Sequence, residues 1–210
     1  MEKVKGDKIM ASFKEAYDKT MGHEGGYVND SDDAGGETYM GVSRVYNPSW
    51  YGWSMIDEEK GRADFPDCLY YDNELKEAVE DFYKDKYWDV NRLDEFPQAV
   101  AEEMFDTGVN MGIGRAAKFL QRSLNYLNRN GKLFDELVDD GDVGKKTLAA
   151  LKIVIDDGDE LILLRIMNVH QGQHYLDYMT KSPIQEKYAR GWFRRVELCG
   201  CKKHITGEIS

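Results

Sequence analysis

Glu24 is the side chain in this chain best placed to do acid–base chemistry. It opens the run HEGGYVNDSDDAGGETYMGVS, from His23 to Ser43, in which carboxylates cluster and no Lys or Arg occurs before Arg44. A glycine-rich stretch this acidic does not cradle phosphate; it suits proton transfer. Asp32 and Asp33 follow Glu24 by eight and nine residues, and Thr38 follows Asp33 by five. Folded back on itself, such a segment can set a carboxylate and a hydroxyl opposite a glutamic acid, as glycoside hydrolysis requires. Asp30, Asp32 and Asp33 are also ordinary turn formers. Asp30 and Asp32 are read that way, and Asp33 as the participant. A calcium loop fits less well, because the alternating acidic pattern and its terminal glutamate are missing.

The elements around Glu24 must hold it in place. Phe13, Ala16, Tyr17 and Met21 share one helical face. Glu24 continues that stripe, and Gly25-Gly26 are expected to end the helix. Partial burial and the negative helix end would both favour the neutral acid there. The same pattern also permits a terminal glutamate that points into water. Residues 37–43 (ETYMGVS) read as a short strand or hairpin, and residues 44–71 as irregular and aromatic. Tyr46, Trp50, Tyr51 and Trp53 in that segment either stack on sugar faces or pin the loop to a core.

Helical periodicity resumes at Asp72, with Leu75, Ala78, Val79, Phe82 and Tyr83 on one face and Tyr87 and Trp88 at the end. After Phe96-Pro97 a second helix carries Val100, Met104, Phe105 and Val109. Asp106 and Asn110 lie on one side of it, where they either face a cleft and contact a ligand or cap the next turn. The glycines of Gly108–Gly114 lack the Lys-Ser/Thr of a phosphate loop and are read as a helix break. Ala116, Ala117, Leu120, Leu124 and Leu127 form another apolar stripe, with Gln121 among them. Asp139 to Gly144 is a turn feeding a helix that begins near Thr147. The longest helix is expected from about Glu160 to Met179; its His170 and His174 are read as core or rim residues in preference to a metal pair. Trp192 and Phe193 are expected to seal the core, with Arg194 and Arg195 facing water or a ligand.

EGGYVND, followed by DDAGGETYMGVS, resembles the signature of the glycoside hydrolase family 108 N-acetylmuramidases. These are lysozyme-like enzymes of phages and bacteria, some of them described as secretion activators. The resemblance implies cleavage of the β-1,4 bond between N-acetylmuramic acid and N-acetylglucosamine in peptidoglycan, with Glu24 as the family's catalytic glutamate. More distant phage lysozymes carry Glu, Asp and Thr in comparable order, which implies Asp33 and Thr38 as the next site residues. The substrate-contact candidates are Tyr27, Tyr39, Trp50, Asp106, Asn110 and Gln121. Asp140-Gly141, Gly144 and Thr147 resemble the helix entry of the family's peptidoglycan-binding region, and Gly191-Trp192 with Arg195 its closing segment. The resemblance spans about residues 12–197.

The implied fold is α+β, mainly α: lysozyme-like, with a short β-hairpin beside the active-site cleft. Residues 1–10 are expected as a tail, 11–95 as the catalytic muramidase lobe, 96–200 as a helical peptidoglycan-binding lobe packed on it, and 201–210 as a second tail. Such hydrolysis needs no cofactor and no metal. Cys68, Cys199 and Cys201 do not make a disulfide framework, and Cys199, Cys201 and His204 match no common zinc spacing. A net charge of -11 disfavours nucleic acid and anionic membranes as partners. Peptidoglycan is anionic too, but residues 185–205 offset this locally with six Lys or Arg against two Glu. No signal peptide or membrane span is visible. The protein is therefore expected to be made in the cytoplasm and to reach the wall or periplasm by release or non-classical export. Two rival readings remain: a lytic transglycosylase that uses Glu24 alone, and a non-catalytic wall-binding or secretion-related protein.

Overall fold

The computed structural model describes residues 11–22, 25–29 and 35–196. The chain divides into two compact units, one ending at Gln98 and the other starting at Ala99. Helices dominate, and three short strands make one antiparallel sheet, an α+β architecture that is mainly α.

The first unit begins with α1 (Phe13–Met21), capped by Ser12, whose Oγ accepts the Glu15 N–H at 3.3 Å. Ala16, Tyr17 and Met21 are its buried face. The helix stops earlier than its apolar stripe implies. Gly22 takes a φ of 53°, and its N–H bonds the Asp18 carbonyl at 3.2 Å. The expected continuation to Glu24 is thus corrected: the helix terminator is Gly22, ahead of Gly25-Gly26.

Strands β1 (Tyr27–Asn29), β2 (Glu37–Tyr39) and β3 (Val42–Ser43) pair in chain order, with Tyr27 opposite Tyr39 and Thr38 opposite both Val28 and Ser43. Met40 and Gly41, both at positive φ, make the two-residue β2–β3 turn. The Tyr83 hydroxyl donates to the Met40 carbonyl at 3.1 Å, and a Cβ on Gly41 would lie 2.4 Å from that hydroxyl oxygen. Only glycine fits that turn as it is packed.

Residues 44–71 are more regular than their composition suggests. They hold α2 (Gly52–Glu59) and a 3-10 turn over Asp67–Tyr71. Trp53 and Ile56 anchor α2 in the core. Its aromatic density had hidden a one-sided helical pattern.

Next comes α3 (Asn73–Tyr83), capped by Asp72 and burying Leu75, Ala78, Val79, Phe82 and Tyr83. It continues into a π-helical turn, Lys84–Trp88. The wider turn brings residues five apart onto one face, so Tyr87 and Trp88 follow Phe82 and Tyr83 inward. Tyr87 stacks on Tyr83 with ring centroids 5.5 Å apart, and Trp88 is fully buried.

Helix α4 (Gln98–Met111) starts at the unit boundary and runs to Gly112, which joins it to α5 (Ile113–Leu127) at a φ of 92°. In the second unit, α5 packs on α7 (Glu160–Lys181) and on α6 (Lys145–Asp156), and α8 (Ala189–Trp192) follows after a 3-10 turn. Ala116, Ala117, Leu120 and Leu124 are buried on α5, and Leu163 and Met167 on α7. Trp192 is only half-buried and Phe193 is 39% exposed. They lie at the surface of this unit, which corrects the expectation that both seal a core. Among the described residues no helix is long and apolar enough to cross a membrane.

Candidate active site

Beside the sheet, the first unit opens a groove of about 710 Å³. That lies within the roughly 300–1,000 Å³ usual for ligand sites. Gly22, Gly25 and Gly26 border it where the chain passes from α1 to β1. Glu24 and Asp33 themselves lie outside the described residues. Tyr27 and Tyr39, directly paired across the sheet, supply one wall. Pro66, Tyr70, Tyr71 and Lys76 supply another.

Each tyrosine of the paired wall is locked by its hydroxyl. Tyr27 donates to Glu37 Oε1 at 2.9 Å and meets the Phe65 ring edge-on at 4.9 Å. Tyr39 donates to the Leu69 carbonyl at 3.1 Å; burial, aided by the Asp72 charge, pushes its phenol up to about 12. Tyr27 thereby keeps its ring at the groove, whereas Tyr39, 2% exposed, is a core residue behind that wall. Tyr70 and Tyr71 are 70% and 79% exposed and meet edge to face at 5.3 Å, with the Lys76 ammonium 4.8 Å from the Tyr70 ring centre. Sequence reasoning passed over these two; the signal was the LYY run after Pro66 in the aromatic segment.

Glu37 holds the hairpin in place. Besides Tyr27, its carboxylate meets Arg44 at 2.9 Å and Lys60 at 2.8 Å. Both cations also reach Asp57 on α2 at 2.7 Å, and the Arg44 guanidinium lies over the Trp53 ring. Hydrogen bonds from Arg44, then Lys60, hold the Asp57 carboxyl down at about 2, below its ordinary 3.8. A depressed folded-state value stabilises the fold fully above pH 3.8, and that contribution is lost as pH falls towards 2. Asp57→Asn is therefore expected to flatten the decline of melting temperature across this window. The effect should be small, since the side chain is 48% exposed. Identical slopes in wild type and variant would show that the pairing contributes nothing.

The remaining candidates occupy other places. Thr38 projects from the sheet face opposite Tyr27 and Tyr39, and its Oγ1 donates to the Gly36 carbonyl at 3.2 Å. Trp50 is 8% exposed; its Nε1 donates to the Ala78 carbonyl at 3.3 Å, and its ring packs on Trp53 and Phe82. Of the four aromatics flagged in that segment, Trp50 and Trp53 are core, while Tyr46 and Tyr51 are exposed.

In the second unit, Asp106 accepts hydrogen bonds from Asn110 at 3.3 Å, Gln171 at 3.3 Å and Arg195 at 2.5 Å. Asn110 also donates to the Asp106 carbonyl at 2.8 Å. Gln121 is 2% exposed and braces the turn before α6: its Nε2 donates to Asp140 Oδ1 and the Asp142 carbonyl, and its Oε1 accepts the Gly141 N–H. Gly141, at a φ of 87°, sits so close to Gly114 that a Cβ would lie 2.8 Å from its carbonyl oxygen. These contacts explain the physical role of the Asp139–Gly144 run.

His170 stacks on Phe119 at 5.4 Å and lies near-parallel to Tyr126 at 5.8 Å; His174 is parallel to Tyr178. Burial lowers the pKa of both imidazoles. No group of three or more His, Cys, Asp or Glu that could hold a metal occurs among the described residues. Cys68 is a free, half-buried thiol; Cys199, Cys201 and His204 lie outside the described residues.

Comparison with known proteins covers most of the chain. Residues 17–112 match the family Glycosyl hydrolase 108, and residues 115–197 match the family Predicted Peptidoglycan domain. The first span holds the EGGY motif and the tyrosine groove. Among solved structures, that of Brucella abortus SagA is similar at 25% identity and a TM-score of 0.55, with 88% of each chain covered. No curated protein matches the chain. The chain is therefore similar, in order, to a glycosyl hydrolase 108 domain and to a C-terminal predicted peptidoglycan domain.

Proposed function

We propose that this protein is an N-acetylmuramidase, cutting the β-1,4 bond between N-acetylmuramic acid and N-acetylglucosamine in peptidoglycan. The observation that carries the reading is the juxtaposition of the EGGY motif with a tyrosine-walled groove: Gly25, Gly26 and Tyr27 border it directly. Flat rings with committed hydroxyls suit the apolar faces of sugars. The family matches give that chemistry a polymer.

In this mechanism Glu24 protonates the departing glycosidic oxygen. Asp33 positions water or stabilises the positive charge developing on the sugar, and Thr38, on the opposite sheet face, takes no part in this step. Glu37 serves the hairpin, with its carboxylate held by Arg44 and Lys60. The second unit grips the same polymer. The protein acts at the wall, after release from the cell that makes it or export by a non-classical route.

The test is product analysis. The purified chain should release reducing ends from peptidoglycan, and mass spectrometry should find water added at the muramic terminus. Products closed into 1,6-anhydro sugars would replace this reading with transglycosylation. Inertness on several wall types would leave a binding protein.

A further inference from the structure

The second unit has its own concavity, of about 370 Å³, beside α7 and α8. Its floor is aromatic. Trp192 stacks on Tyr175, with centroids 4.9 Å apart and planes 11° from parallel, and Tyr178 lies 5.9 Å away. Tyr175, against the indole, is 4% exposed and its hydroxyl is buried, so a polar group open to a ligand here is Arg115. Arg115 is exposed at the rim; one N–H bonds the Met111 carbonyl at 2.8 Å, and no carboxylate among the described residues pairs with it.

An indole and phenols forming a platform take the C–H face of a sugar ring. A guanidinium with donors to spare takes a carboxylate. A neutral glycan would leave Arg115 unused, so the complementary ligand is a sugar that carries a carboxylate, which in peptidoglycan is the muramyl unit with its stem.

We propose that this concavity binds a muramyl unit together with its peptide stem, the stem carboxylate meeting Arg115 and the sugar lying against Trp192. The proposal rests on the peptidoglycan reading and gives the second unit a defined ligand: the point where peptide joins glycan.

Tryptophan emission tests it in the full chain carrying Glu24→Gln. Trp50, Trp53 and Trp88 are each no more than 8% exposed, so Trp192 is the indole a ligand can reach. Muramyl dipeptide should give a saturable change that disappears with Trp192→Phe. Arg115→Gln should weaken muramyl dipeptide about fivefold or more while leaving the response to uncharged di-N-acetylchitobiose unchanged. The proposal is overturned if Trp192→Phe keeps the whole response or if muramyl dipeptide never saturates. It is also overturned if Arg115→Gln leaves muramyl dipeptide binding intact. Reducing-end release by the unaltered chain is scored separately. An active enzyme without this binding loses the concavity proposal alone, whereas binding by an inactive chain removes the hydrolase reading alone.

Discussion

With Glu24→Gln, release of reducing ends from peptidoglycan is expected to fall by about a thousandfold, within the roughly 10²–10⁴ that a positioned general acid contributes. Glutamine keeps the shape and polarity of the side chain but cannot give up a proton to the leaving oxygen. The loss should therefore fall on turnover, with sedimentation of the protein with intact wall sacculi unchanged. Thermal unfolding should also match wild type. A variant retaining more than a tenth of wild-type turnover would remove Glu24 from the acid role. The neighbouring groove would then need another proton source.

Trp88→Ala is expected to cost about 3–5 kcal/mol of stability, the usual range for emptying a large aromatic site. The indole is fully buried, its Nε1 donates to Asp94 at 2.7 Å, and its ring meets the edge of Phe13 at 5.6 Å. Alanine removes the volume and leaves that carboxylate without its donor. Trp88→Phe separates the two losses: most of the volume stays, so the expected cost is about 1.5–3 kcal/mol for the charge-assisted bond. Urea unfolding followed by far-UV circular dichroism measures both. A Trp88→Ala loss below about 1 kcal/mol would mean the site collapses and refills.

Helical faces were the most legible part of the chain. Leu75, Ala78, Val79 and Phe82 on α3, and Ala116, Leu120 and Leu124 on α5, are buried where periodicity places them. Boundaries were harder to read. Gly22 ends α1 because it can adopt positive φ, a property no apolar pattern records. Aromatic residues were ambiguous for a different reason. Trp50 and Tyr70 have equal sugar-stacking potential in isolation. Only tertiary packing sends one under α3 and leaves the other 70% exposed over the groove. Gln121 shows the same limit for polar groups. Its amide suits an N-acetyl ligand as well as it suits the Asp140–Asp142 backbone, and the choice is made by a turn nineteen residues and more away.

The π-helical turn at Lys84–Trp88 sets the spacing at which side chains share a face here. At the present length an ordinary α-helix would carry Tyr87 and Trp88 about 140° round from Phe82 and Tyr83, because five residues advance about 500° at roughly 100° each. Removing one residue would bring the spacing to four, which an α-helix already places on one face. Homologues should therefore lose the π turn and one residue together, keeping the four rings packed. Side-chain packing, more than backbone hydrogen bonding, counts the residues here.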